Sequence, residues 1–196
     1  MFRATRAIFN NSKTGQAANG VAPAVPPRPA EMAVALAPVH NKWIRRGYVL
    51  MNRGDMIGAI SEFSQALLAN QRDTEAYVGR GKAFLTTGGY DLAMRDACVA
   101  IGISPENAMA YAIRGAVYHA LSSQRVEDKD MLLNAALDDL NRAVALDANC
   151  AEAYKHRAVV YAALDGNVLE TSRGSRAVYD AYLSLTLNPN YAPAKG

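Results

Sequence analysis

Four arginines and four acids recur in this chain at matching intervals, and they are the residues best placed to do chemistry. Arg46, Arg80, Arg114 and Arg157 are followed by Glu62, Asp96, Asp139 and Asp180 at separations of 16, 16, 25 and 23 residues. A guanidinium offers a planar fork of donors that suits carboxylate or phosphate. A row of free guanidinia would therefore make an anion-binding stripe. A row already matched by acids would make an interlocked ionic ladder. Because the acids recur as regularly as the arginines, the ladder is the favoured reading, with each acid reaching the arginine of a neighbouring unit. Exposed pairs of this kind contribute only about 0–1 kcal/mol each.

Other constellations are weak. His40, His119 and His156 are scattered, and no nucleophile–histidine–acid set, HExxH helix or dinucleotide fingerprint occurs. Gly79-Arg80-Gly81-Lys82 resembles a phosphate loop only superficially, because its spacing is wrong and it falls inside a helical pattern. Cys98 and Cys150 are the only cysteines. Neither belongs to a CxxC pair, and both fit small, buried helix positions. The expectation is no catalysis, no metal, no cofactor and no disulfide.

The 196-residue chain is 51% hydrophobic, a globular composition. No stretch reaches the ~18 uncharged apolar residues of a membrane span. The net charge of +3 is unevenly placed: Arg3, Arg6, Lys13 and Arg28 precede the first acid, Glu31, and the other 17 basic residues face all 18 acids. A nearly neutral body gives no electrostatic reason to expect nucleic acid. Residues 1–40, basic and then rich in proline (Pro23, Pro26, Pro27, Pro29, Pro38), form an N-terminal arm outside the body.

Positioning elements emerge from a period. Gly47, Gly81 and Gly115 lie 34 residues apart, each with an aromatic four residues earlier: Trp43, Tyr77 and Tyr111. Ala59 and Ala66 follow the first glycine, and Ala93 and Ala100 follow the second, at the same intervals. Apolar residues at three- and four-residue steps (Ile57, Ile60, Phe63, Leu67) give helices. Gly54-Asp55 and Gly88-Gly89 give turns between them. Small residues at fixed positions let paired helices approach, with Gly47 expected to meet Ala59 across its hairpin. Ser104-Pro105-Glu106 reads as an N-cap with proline at the first helical position, and Asn149 with Glu152 as a capping box.

In these residues (Trp43, Gly47, Gly54, Ala59, Phe63, Ala66 and their successors) the chain resembles the tetratricopeptide repeat family over residues 41–189. The resemblance implies an all-α, right-handed superhelical array of about four helix–turn–helix repeats, at 41–74, 75–108, 109–150 and 151–189, with a tail at 190–196. It departs from the family in the arginines before the glycine position, in Ala158 replacing the fourth glycine, and in the lack of a terminal helix. Asn190 to Ala194 begin like a fifth unit, so the last pair would leave an apolar face to be capped by a partner or a second copy. Two insertions, near Ser122–Asn134 and Gly166–Gly174, fall between the helices of units three and four. They read equally as a functional edge or as surface elaboration.

The resemblance also places ligands in a groove lined by first helices. Co-chaperone members clamp a C-terminal carboxylate there with lysine, asparagine and arginine. The matching positions here are Ile44, Tyr48, Gly79, Met109 and Ile113, which removes that clamp. The expected partner-binding groove comprises Ile44, Tyr48, Met51, Val78, Lys82, Leu85, Met109, Ala112, Ala116, His119, Lys155 and Val159, an apolar trough with charges at its margins. Its occupant is a partner segment or the chain's own arm, through Met32, Val34, Leu36 and Val39.

The function expected is a non-catalytic scaffold, an accessory subunit docked in a larger protein assembly. The alternative is an adaptor that transiently binds hydrophobic client segments, as an import receptor or co-chaperone does. The basic, acid-free start of the arm resembles a mitochondrial presequence, which points to mitochondria, the cytoplasm being the other location.

Overall fold

The computed structural model describes residues 42–165 and 172–188; the arm at 1–40, the insertion at 166–171 and the tail at 190–196 lie outside them. The described residues form helices α1 (42–52), α2 (Met56–Ala69), α3 (Thr74–Thr86), α4 (Tyr90–Ile103), α5 (Ala108–Ser122), α6 (Lys129–Leu146), α7 (Ala151–Asp165) and α8 (Ser172–Leu187). Each odd helix pairs with the next to make a hairpin, and each even helix packs on the first helix of the following hairpin. The first helices α3, α5 and α7 also touch in sequence, giving two layers. The fold is the superhelical array expected from the repeat pattern.

Turn chemistry explains the shape of each hairpin. Gly54 and Gly88 hold φ of 82° and 81°, a left-handed conformation that glycine adopts without a Cβ penalty. Around them the same pair of bonds recurs: Gly54 N–H to Met51 O and Asp55 N–H to Leu50 O, then Gly88 N–H to Leu85 O and Gly89 N–H to Phe84 O. This is the Schellman closure that satisfies the last carbonyls of a helix. At the next junctions Asp73 accepts from Ala76 N–H at 2.7 Å and Asn107 from Ala110 N–H at 2.9 Å, as N-caps of α3 and α5.

Two capping expectations are corrected. Ser104 is the C-cap of α4, and α5 starts three residues after Pro105. Asn107 takes the N-cap because it occupies the repeat position of Asp73. The Asn149–Glu152 box does not form either. Asn149 N–H donates to Asp147 Oδ1 at 2.9 Å, and Glu152 turns its carboxylate toward α3. Cys98 is exposed, not buried, while Cys150 is buried and both are free.

The insertions lengthen helices as well as the connections. The α5–α6 connection holds a single 3₁₀ turn, Val126–Asp128, and α6 starts a full turn earlier relative to its buried alanines than α2 or α4 does.

The core is divided among junctions. One cluster joins Ile44, Ala59, Phe63, Ala66 and Ala76; a second joins Val78, Ala97, Ala100, Ala110 and Ile113; a third joins Ala112, Leu133, Leu140, Cys150 and Val160. Each is built from one hairpin and the next first helix, as expected where stability is the sum of units and nearest-neighbour interfaces. The atoms nearest a Cβ on Gly47 belong to the Phe63 ring, the closest at 2.7 Å. A Cβ on Gly79 would overlap that same ring from the other side. Phe63 is therefore a wedge that requires a glycine on each flanking first helix. Gly81 and Gly115 do meet the expected alanines, with Cβ positions 3.6 Å from Ala93 O and 3.0 Å from Ala136 O.

One repeat further on the sizes are exchanged: Ala97 stands where Phe63 stood, and Ile113 where Gly79 stood. Both lie in the second cluster. Gly79→Ile should cost about 1–3 kcal/mol by overpacking, and Phe63→Ala about 3–5 kcal/mol by cavity formation. The double variant, which copies the Ala97–Ile113 arrangement, should be less destabilised than the sum by at least ~1 kcal/mol in urea unfolding. Strict additivity would show that the ring and the glycine are not coupled.

Candidate functional site

Three of the four arginines in the row are fully engaged within the structure. Arg80 Nε and Nη2 donate to Asp96 Oδ2 and Oδ1, each at 2.8 Å. Arg114 forms the same fork on Asp139 at 2.7 and 2.7 Å, and Arg157 on Asp180 at 2.7 and 2.9 Å. Arg46 makes a single contact with Glu62, at 3.2 Å. Each acid therefore pairs within its own hairpin, which corrects the expectation of pairing between units. The link between units comes from the remaining nitrogen: Arg80 Nη1 donates to Ser64 Oγ at 3.2 Å and Arg157 Nη1 to Asn141 Oδ1 at 3.0 Å, both on the preceding hairpin. Cys98, at the equivalent position, supports Arg114.

The guanidinia also lie over rings, Tyr77, Tyr111 and Tyr154, at 5.7, 5.5 and 5.3 Å from the centroids. Phe84 and Tyr161 flank Arg80 and Arg157 on the other side. Hydrogen bonds donated to the aspartates raise the pKa of all three arginines despite burial. A continuous stripe for external anions is excluded, because the forks of Arg80, Arg114 and Arg157 are taken and leave Arg46 alone exposed in the row.

The expected groove residues divide into two groups. Ile44, Val78, Ala112 and Ala116 are buried between helices, and they form the floor of the first-helix layer. Tyr48 and Met51 are half-buried against the first cluster. The Tyr48 ring meets Phe63 edge-on at 5.2 Å, and its hydroxyl pKa is pushed up to about 12 by burial, with smaller effects from Glu75 and Asp73. Met109 is half-buried and Val159 exposed.

The other group converges. Lys82, Leu85, Ala116, His119 and Lys155 line one cavity of about 290 Å³, together with Thr86, Tyr90, Ala120, Glu152 and His156. The elements that bring them together are α3, α5 and α7, with Tyr90 from the start of α4. Glu152 is the centre. It is only 6% exposed, its Oε1 pairs with Lys82 Nζ across α5, and its Oε2 lies 3.0 Å from Lys155 Nζ and 3.7 Å from His156 Nε2. Burial raises the Glu152 carboxyl pKa, but the charges and hydrogen bonds of Lys82 and Lys155 outweigh it and hold it at about 2. Burial and the Lys155 charge bring His156 down to about 4, and burial lowers His119. At neutral pH two cations face one carboxylate beside two neutral imidazoles. The lysines expected at the margins thus stand in the middle, and the trough is polar at its centre.

Sequence reasoning missed Glu152, His156, Thr86, Tyr90 and Ala120. The available signal was the departure of unit four from its columns: His156 replaces Gly79 and Ile113, and Lys155 replaces Ile44, Val78 and Ala112. No group of metal-ligating side chains occurs among the described residues, and no helix there is long and apolar enough to cross a membrane.

The comparisons with known proteins agree with this architecture. The chain superposes on TTC0263, a thermophilic tetratricopeptide protein of Thermus thermophilus, with a TM-score of 0.67 and 24% identity over 76% of this chain and 75% of that one. The second tetratricopeptide domain of human RPAP3, solved in complex with an HSP70 peptide, matches with a TM-score of 0.52 and 20% identity over 65% of this chain and 97% of that one. No family model matches. Over 65 residues the chain is 31% identical to human Superkiller complex protein 3, a segment that is 33% of this chain and 4% of that protein. The fold is that of a tetratricopeptide-repeat protein.

Removing one partner from a buried ion pair leaves the other charge uncompensated, at a cost of about 3–5 kcal/mol. Asp139 keeps only 10% of its side chain exposed. Arg114→Met should therefore destabilise strongly, and Arg114→Met with Asp139→Leu should recover most of the loss in denaturant midpoint. Equal losses in the two variants would show that the pair does not act as a unit.

Acid should act through the cavity. His156 is lowered from 6.5 to about 4, so between those values the unfolded chain binds a proton that the folded chain refuses. Stability falls as pH drops through that window, by up to about 3 kcal/mol. Glu152, depressed from 4.5 to about 2, extends the loss below pH 4.5. Urea midpoints at pH 7 and pH 4.5 should differ less in His156→Gln than in the parent.

Proposed function

We propose that the chain is a non-catalytic protein-interaction scaffold that holds a segment of a partner along its first-helix face, as an accessory subunit of a larger assembly. The observation that carries this is the open 290 Å³ cavity in the middle of that face, continued by the half-buried Tyr48, Met51 and Met109 and the exposed Val159. Half-buried side chains beside a polar recess suit an extended or helical peptide, whose side chains interdigitate with them. The similar fold of an RPAP3 domain solved with a peptide supports a second reading, an adaptor that holds client segments transiently. Affinity purification separates the two: a stoichiometric, salt-resistant complex marks a subunit, substoichiometric clients an adaptor. The acid-free start of the arm, with Arg3, Arg6 and Lys13, supports mitochondrial placement. A fluorescent protein fused to residues 1–40 should reach mitochondria, and diffuse fluorescence would assign the cytoplasm.

Val78 is part of the packed floor, so surface variants must avoid it. Met51→Glu with Val159→Glu changes a half-buried and an exposed position of this face. The pair should keep the helical circular dichroism and a cooperative melt while reducing partner capture at least tenfold. Capture at the parental level would move the interface elsewhere.

A further inference from the structure

We infer that the cavity between α3, α5 and α7 is an anion pocket that receives one acidic side chain, a carboxylate or a phosphorylated hydroxyl, from the segment lying on the first-helix face. The inference rests on the scaffold reading and adds the chemistry that the partner must carry.

Charge supplies the first argument. Lys82 and Lys155 bring two ammonium groups to one carboxylate, Glu152, whose side chain is 7% exposed and engaged by both. Two ammonium groups and one carboxylate thus line the recess, and the carboxylate is itself shielded from an incoming anion. Donor capacity supplies the second. An ammonium has three N–H donors. Lys82 directs one to Glu152, and a third of its side chain remains exposed toward the opening. Tyr90 adds a hydroxyl and His119 an imidazole, both on the cavity wall. Enclosure is the third. The recess is bounded by three helices and is large enough for one carboxylate or phosphate group with its stem, and a charge in such a site is screened less than on an open surface. The arginines of the array cannot serve the purpose, because their forks are closed on Asp96, Asp139 and Asp180.

Anion binding also draws protons onto the neighbouring imidazoles. The groups that face them are Lys82 and Tyr90 from α3 and α4, and Glu152 and Lys155 from α7.

The test uses the whole chain at constant chloride, titrated with inorganic phosphate and separately with succinate, while the His119 and His156 imidazole signals are followed by NMR. Saturable shifts at both histidines are expected. Lys82→Gln should weaken binding at least tenfold. Lys82→Arg, which keeps the charge, should retain binding within about threefold and guards against loss of fold. Saturation by phosphate alone assigns the pocket to a phosphorylated side chain; saturation by both anions assigns it to aspartate or glutamate as well. Shifts that grow linearly with both anions, and equally in Lys82→Gln, would overturn the inference. That result would leave the scaffold reading standing, because partner capture through Met51 and Val159, which lie outside the cavity wall, is measured independently.

Discussion

A guanidinium held by two carboxylate oxygens between the helices of a hairpin is the interaction on which the array depends. In Arg80–Asp96, Arg114–Asp139 and Arg157–Asp180 the acids keep 3%, 10% and 2% of their side-chain exposure. A carboxylate so buried is tolerated only with a matched, hydrogen-bonded partner. Because each partner comes from the facing helix, the pair fixes the register of the two helices. The third nitrogen, on Ser64 or Asn141, fixes the register to the preceding hairpin. The sequence separation within the pairs grows from 16 to 25 residues, yet the forks stay at 2.7 to 2.9 Å. Insertions are absorbed beyond the clamp, as longer helices and longer connections, and the packing at the clamp is preserved.

With the forks of Arg80, Arg114 and Arg157 closed, the opposite side of the first helices carries a different set of residues. There the columns run Ile44–Val78–Ala112–Lys155 and Tyr48–Lys82–Ala116–Val159. Three members of the first column are buried, and the fourth is a lysine. The apolar floor therefore ends at unit four, and the polar recess begins where Lys155 and Lys82 meet Glu152. This placement has an energetic consequence: the buried charge of Glu152 is balanced by two lysines, one of them two hairpins earlier in the chain. The charges that hold Glu152 in place are thus the ones that make the recess polar.

The fold was legible because the period is carried by residues whose size matters, glycine and alanine at helix crossings and aromatics beside them. The arginine ladder was legible as a set, but not in its pairing. A periodic row of charges is compatible with pairing inside a unit or between units, and only the tilt of α4 on α3 decides. Burial depth was also hidden. Val78 and Leu85 read alike as groove residues, yet contact between α3 and α5 covers one and leaves the other at the cavity wall. The cavity itself was invisible, since Lys82 and Glu152 are joined only by tertiary structure. The cap of α5 should have been legible: Asp73, Asn107 and Cys150 share one repeat position, and register outranks the local attraction of Ser104-Pro105.

Repetition in this chain does not make its junctions interchangeable. At the first, a phenylalanine fills the space left by two glycines; at the second, an isoleucine from the other helix fills the space left by Ala97. A mispaired junction would place Phe63 against Ile113, or Ala97 against Gly79. The former overfills a close-packed site and the latter leaves a void, and each is destabilising by about 1–5 kcal/mol. The neighbours are thus selected by volume as well as by charge, so units cannot slip or exchange along the array. A face assembled from α3, α5 and α7 then presents its side chains in one arrangement, and a recess that depends on residues from three separate units can be reproducibly formed.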